Sequence, residues 1–270
     1  MPRTTTRIAG LEVHTYTTDA FAASKKPVVG LFVLHGRLGS SDSPYIQELI
    51  QAFIKAAETH QGEKDLLVIS FDHRNHGTRL LDDTANLDFA ANPRHALDMY
   101  AIQSGTAQDC LFLIGLLEAY LFPSGERTIV EWGVSGVSLG GHSAWIAGTD
   151  ARVSTCIPII GCPEYLPLMK SRAETQGVSV APPQFPDTLL ALIRADSEAL
   201  DRGEAFQGKN LLVLSGGKDP VVPWAASEAF VEKVDVGNGV KKVVVYEDAV
   251  HEMTPGMVQE AVNFITQRLG

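Results

Sequence analysis

Residues 128–149 read T-I-V-E-W-G-V-S-G-V-S-L-G-G-H-S-A-W-I-A-G-T, and the pattern changes half-way along. Ile129, Val130, Trp132 and Val134 carry a strand pattern into Gly136-Val137-Ser138-Leu139-Gly140, and a helix-compatible segment follows. A G-x-S-x-G set between a strand and a helix predicts a sharp turn that holds the serine out at its tip. The glycines have a steric reason: so tight a turn brings the backbone two residues either side of the serine too close for a Cβ. Alone, the motif also fits an ordinary turn with a capping serine. The rest of the chain decides between the two.

Upstream, residues 27–34 (P-V-V-G-L-F-V-L) form a continuous apolar run, the pattern of a strand covered on both faces, and end in His35-Gly36-Arg37-Leu38-Gly39-Ser40. Residues 65–71 (D-L-L-V-I-S-F) repeat the pattern and end in Asp72-His73-Arg74-Asn75-His76-Gly77-Thr78-Arg79. Between them, Tyr45, Leu49 and Phe53 recur at helical spacing behind Ser43-Pro44, a cap and first-turn pair. Residues 8–18 alternate loosely and suggest an opening strand or hairpin at a sheet edge. A long helix is expected over 94–121, with Leu97, Met99, Tyr100, Leu111, Leu113, Ile114, Leu117 and Tyr120 toward the core and an irregularity or break at Ser104-Gly105-Thr106.

Downstream, residues 153–160 form a third apolar run, in which Pro158 favours a distorted or near-edge strand. Residues 164–208 change texture, and helices over 166–175 and 187–200 read as a small insertion lying over the strand ends. The strand pattern resumes at 210–214 and ends in Ser215-Gly216-Gly217-Lys218-Asp219-Pro220, before a helix expected over 224–234. A last strand, 241–246, leads to Val250-His251-Glu252 and a closing helix over 256–269. Buried runs alternating with helices predict an α/β fold, a doubly wound and mostly parallel sheet. The chain is expected to be one domain, 1–270, with a helical cap insertion at 162–208.

In such sheets the working groups lie beyond the C-terminal ends of the strands. His35-Gly36, Ser138, Asp219 and His251 all fall there, in the order oxyanion loop, serine, aspartate, histidine. A serine hydroxyl attacks poorly at neutral pH unless a base takes its proton. An imidazole, which ordinarily titrates near about 6.5, can take that proton and later return it. The aspartate would orient the imidazole and stabilise its cation. The oxyanion donors expected are the N–H of Leu139, directly after the serine, and the N–H of Arg37, with Leu38 its competitor. His35 is expected to brace its loop.

On these motifs, L-H-G-R-L-G, D-H-R-N-H-G, G-V-S-L-G-G, S-G-G-K-D-P-V-V-P and V-H-E-M-T-P, the chain resembles the α/β-hydrolase superfamily over nearly its whole length. Within it the chain looks like the small carboxylesterases and the prolyl-oligopeptidase-like hydrolases without a propeller domain. The resemblance implies a serine hydrolase acting through an acyl-Ser138 intermediate, with Ser138, Asp219 and His251 catalytic and no metal or organic cofactor. Esters of modest size lead, ahead of thioesters, lactones and short peptides; a non-hydrolytic binding protein or a lyase on the same fold are the readings from other classes. The oxyanion loop departs from the H-G-G-G of many esterases.

The other candidates are weaker. Asp72, His73 and His76 carry a metal-like residue set, but their spacing suits structural hydrogen bonding. His142 lies one helical turn beyond Ser138 and reads as a packed or capping residue. Arg37 and Arg79 could meet an anionic substrate, against the default of solvation. Tyr165, Met169 and Trp224 are the substrate-pocket candidates, with Leu166, Leu168 and Phe185 beside them, and all six read equally as internal packing of the insertion.

A net charge of −10 with no run of Lys or Arg argues against a nucleic-acid or anionic-membrane partner. The partner expected is a small acyl substrate; the oligomeric state is not legible. The first residues lack a secretion signal's apolar core, no apolar stretch reaches bilayer length, and Cys110, Cys156 and Cys162 form no C-x-x-C. Together these point to a soluble cytoplasmic protein with reduced cysteines.

Overall fold

In the computed structural model, which describes residues 1–60, 62–201 and 204–270 (198–201 without side chains), the apolar runs pair into one eight-stranded sheet. The strands are β1 (Arg3–Ile8), β2 (Leu11–Tyr16), β3 (Val28–Leu34), β4 (Asp65–Phe71), β5 (Ile129–Val137), β6 (Val153–Ile159), β7 (Asn210–Gly216) and β8 (Val240–Tyr246). Their order is β1-β2-β4-β3-β5-β6-β7-β8. The β1–β2 hairpin joins β4 antiparallel, and every other pairing is parallel. β3 and β5 therefore lie at the centre, with the turn at 136–140 opening at the sheet's C-terminal edge.

The continuous apolar runs have a simple cause in β3. Val28, Phe32 and Leu34 enter one core, while Val29, Leu31 and Val33 enter the core on the opposite face. The first core packs under α2 (His95–Ile114) and α4 (Leu139–Ala147), around the fully buried Trp145. The second packs under α1 (Pro44–Thr59) and α8 (Pro255–Thr266), through Phe53, Met257 and Ile265. Two helices, α5 (Tyr165–Thr175) and α6 (Asp187–Asp201), occupy the connection from β6 to β7. They share a third cluster with α2, built on Met99, Tyr100, Tyr165, Met169, Phe185 and Ile193. Among the described residues no helix is long and apolar enough to cross a membrane.

Four local expectations are corrected. α2 runs unbroken through Ser104-Gly105-Thr106 and stops only at Gly115, before the short α3 (Leu117–Leu121). Ser104 bonds back to the Tyr100 carbonyl within the helix, and Gly105 is glycine because a Cβ there would collide with the Arg74 side chain, 2.6 Å away. Leu97 and Tyr120 face outward, at 40% and 51% exposure. Pro158 sits in an interior strand, not a near-edge one, but the distortion it favours is there: β6 lies between β5 and β7, and the ladder to β7 skips from Cys156 to Ile159 across the missing N–H. The segment after Pro223 is one 3₁₀ turn, Trp224–Ala226, followed by the short α7 (Glu228–Lys233).

Candidate active site

β5 delivers Ser138 into a backbone conformation that L-residues avoid, φ 55° and ψ −112°, and α4 begins at the next residue. Such strain costs on the order of 1–3 kcal/mol and persists only where its surroundings impose it. Here they do. Ser138 N–H donates to the Ile159 carbonyl at 2.9 Å, and the Ser138 carbonyl accepts from His142 N–H at 3.0 Å. A Cβ on Gly136 would overlap the backbone of Gly140, and a Cβ on Gly140 would overlap that of Leu34. The glycines of the motif are thus required by close backbone approach.

The loops after β7 and β8 bring the other two groups to the serine. Ser138 Oγ lies 2.9 Å from His251 Nε2, and His251 Nδ1 lies 2.7 Å from Asp219 Oδ2. The carboxylate can only accept from Nδ1–H, so Nε2 is left to accept from the serine hydroxyl. The loops are tied together by Lys218 N–H to the Ala249 carbonyl, 3.0 Å, and Gly217 N–H to the Tyr246 carbonyl, 2.8 Å. Asp219 is 4% exposed. Burial alone would raise its carboxyl, but hydrogen bonds from His251 and from the N–H groups of Val222 and Val221 hold it below the ordinary carboxylate range.

The upstream loop turns beneath Ser138, with Gly39 N–H donating to the Gly36 carbonyl at 3.2 Å. Gly36 N–H donates to Tyr45 Oη at 2.7 Å and is thereby spent. The N–H groups of Arg37 and Leu38, at the corners of this turn, are engaged by no group among the described residues, and Leu38 has a φ of 63°. Leu139 N–H belongs to the first turn of α4, where helical N–H groups lack intrahelical partners. His35 accepts His73 N–H on Nε2 at 3.0 Å and reaches the Gly36 carbonyl with Nδ1 at 2.7 Å, as a loop brace should. Burial pushes it down to about 4, so it stays neutral.

The D-H-R-N-H-G segment is a buttress for that loop. Asp72 accepts from the backbone N–H and hydroxyl of Ser41, 2.7 and 2.8 Å, and from those of Thr78, 2.7 and 2.9 Å. Arg79 does not reach the mouth: it shares the Asp109 carboxylate with Arg74 and bonds the Asp72 carbonyl. His142 Nδ1 accepts from Cys162 N–H at 2.8 Å. Burial, then the charge of Arg172, pushes that ring down to about 3, a neutral wall residue rather than a second base. Cys162 itself is buried, its thiol pushed up to about 11 by burial.

A cavity of about 410 Å³ opens over Ser138 and His251. Tyr165 and Met169 line it while also belonging to the cluster under α5 and α6, with Met99, Val137, Ile160 and Met253 completing an apolar wall. Trp224 does not. Its indole N–H donates to Glu228 at 3.1 Å, and its ring packs against the sheet core. Leu166, Leu168 and Phe185 belong to the cluster beneath α5 and α6. Tyr45, Gln103 and Arg172 line the cavity without having been singled out.

No family model and no curated protein matches the sequence. Solved structures do match. A Thermus thermophilus protein, TT1662, superposes with a TM-score of 0.71 at 25% identity, over 100% of this chain and 99% of its own. The esterase Est1E of Butyrivibrio proteoclasticus, solved with ferulic acid bound, gives 0.61 at 16% identity, over 98% of each chain. The Pyrococcus furiosus esterase Pf2001 gives 0.59 at 19% identity, over 100% of this chain and 93% of its own. The sheet order, the helices on both faces and these likenesses define one fold, the α/β-hydrolase fold.

Proposed function

We propose that the protein is a serine hydrolase of carboxylic esters. The observation that carries the reading is the unbroken relay from Asp219 through His251 to Ser138, at the floor of a cavity of ligand size. The esterase names among similar folds agree with it. In the forward step Ser138 Oγ attacks the acyl carbon while its proton passes to His251 Nε2. The imidazolium is stabilised by Asp219 and then gives that proton to the departing alkoxide. Water repeats the sequence on the acyl-Ser138, releasing the acid and restoring the hydroxyl.

The oxyanion formed in each half accepts from Leu139 N–H and Arg37 N–H, Gly36 N–H being committed to Tyr45 Oη. Arg37 is preferred to Leu38 because it follows Gly36 directly, where the backbone passes close to Ser138. The helices between β6 and β7 act as a cap that sets acyl or alcohol size, through Tyr165 and Met169.

A fluorophosphonate probe tests the assignment. Wild type should label covalently and hydrolyse nitrophenyl esters, and Ser138→Ala should do neither. A folded wild type that stays unlabelled and inactive across an acyl-chain panel overturns it in favour of a non-hydrolytic binding protein.

A further inference from the structure

Two arginines line the cavity beside Ser138 with no carboxylate at ion-pair distance among the described residues. Arg172, on α5, reaches the Val221 carbonyl with Nε and Nη2 at 3.4 and 3.2 Å. Arg37 reaches the Asn86 carbonyl with Nη1 at 3.0 Å. Elsewhere Arg74 and Arg79 share Asp109 and Arg127 pairs with Asp65, while Arg268, outside the cavity, donates to Asn210 Oδ1 and to no carboxylate among the described residues. Among the described residues no ion pair includes Arg37 or Arg172.

The nearby carboxylates are committed or remote. Asp219 spends one oxygen on His251 and the other on the backbone N–H groups of Val221 and Val222. Glu252 is exposed at the cavity rim, and Asp88, whose charge favours the Arg37 cation, is exposed on a neighbouring pocket that Arg37 and Arg172 also line, where it accepts from Ala90 N–H. Burial and the charge of Arg37 push Arg172 down to about 10, which still leaves a cation at neutral pH. Two like charges thus face one mostly apolar space, an arrangement costly when empty and relieved by an anion. A guanidinium also presents a planar fork that fits a carboxylate better than any neutral group.

We infer that the ester cleaved at Ser138 carries a carboxylate at the far end of a short apolar body, and that Arg172 and Arg37 receive it. This rests on the hydrolase reading above and names its substrate class. The apolar wall of Met99, Met169, Tyr165 and Ile160 would hold the body, the arginines its charged end. Arg172 also ties α5 to the loop that carries Asp219, so loss of activity alone would not separate recognition from bracing. A charge-selectivity ratio does, because bracing acts equally on charged and neutral substrates.

The test uses two matched pairs. On the acyl side, mono-nitrophenyl adipate is compared with the same molecule capped as its methyl ester. On the alcohol side, an acetate ester of a phenol bearing a propanoate arm is compared with its methyl-capped form. Wild type should favour the charged member of one pair by about tenfold or more in kcat/KM. Arg172→Gln and Arg37→Gln should each bring that ratio toward one, and Arg172→Lys should keep part of it. A ratio of one or less in both pairs, or a ratio that both glutamine variants leave intact, overturns the inference. If no ester turns over above the Ser138→Ala background, the hydrolase reading is what has failed. Calorimetry on Ser138→Ala with monoethyl adipate and ethyl methyl adipate then decides the anion question. Tighter binding of the anion, lost on adding Arg172→Gln, supports it; equal binding overturns it.

Discussion

Asp219 divides its carboxylate between two tasks, giving Oδ2 to His251 Nδ1 at 2.7 Å and Oδ1 to the backbone N–H groups of Val221 and Val222 at 2.8 and 2.9 Å. The second task fixes the first. With Oδ1 held by its own loop, the carboxylate cannot rotate away from the imidazole, and the loop is in turn tied to the His251 loop through Lys218 N–H. The tautomer that lets Nε2 accept from Ser138 is therefore set by the fold of the β7 loop.

That division predicts the outcome of Asp219→Asn. The amide oxygen will stay with the two N–H donors, leaving the NH₂ to face Nδ1. Nδ1 must then accept, the ring proton moves to Nε2, and Ser138 loses its base. Ester kcat/KM should fall by about 10³–10⁴, with the thermal midpoint nearly unchanged. Steady-state kinetics beside a thermal melt checks both halves.

Tyr45→Phe addresses the oxyanion loop. Removing Oη leaves Gly36 N–H without its acceptor beneath the serine, an unpaired buried donor worth about 1–3 kcal/mol. The turn that presents Arg37 N–H should loosen. The expected result is a drop of about tenfold in kcat with a smaller change in KM, measured on a neutral ester. An unchanged kcat would show that the turn holds its shape without the phenol.

The sequence carried the sheet and the relay because both depend on short-range signals. Continuous apolar runs mark strands covered on both faces, and each reacting group follows such a run, as His251 follows β8. The cavity was less legible. Tyr165 and Met169 could be named from α5, but Trp224, equally apolar, turned into the sheet core because its segment is a 3₁₀ turn instead of a helix. Arg172 gave no signal at all. It is an ordinary residue of an amphipathic helix, and only the tertiary path of the Val221 loop makes it a cavity wall. Gly105 misled for a related reason: glycine in a helix suggests a break, and the cause is a side chain 31 residues away, Arg74.

Gly140→Ala should be among the most damaging single changes in the chain. The added Cβ would meet the carbonyls of Leu34 and His35, backbone of the central strand that cannot give way. A loss of roughly 2–4 kcal/mol in denaturant unfolding is expected. Gly10→Ala is the contrast. A Cβ there meets no atom within 4 Å, and only the positive φ of 85° is strained, so the cost should be about 1 kcal/mol.

Stability should fall with acid well before the carboxylates titrate. His35 and His95 are buried and pushed down to about 4, and His142 to about 3, in each case by burial first. In the unfolded chain each would titrate near about 6.5. Between those values the unfolded state binds protons that the folded state refuses, so stability rises with pH across the window. The contribution is complete above about pH 6.5 and declines as pH falls toward 4, by roughly 1–2 kcal/mol per histidine at about pH 5. Asp72 and Asp219, both held below the ordinary carboxylate range, add their loss only below about pH 4. Thermal melts should therefore show a midpoint that drops between about pH 7 and pH 5, with proton uptake on unfolding. His95→Asn removes one of these groups while keeping a donor for the Leu87 carbonyl, so its midpoint should vary less steeply over the same interval. An equal slope in the two proteins would mean that His95 titrates in the folded state as it does in the unfolded chain.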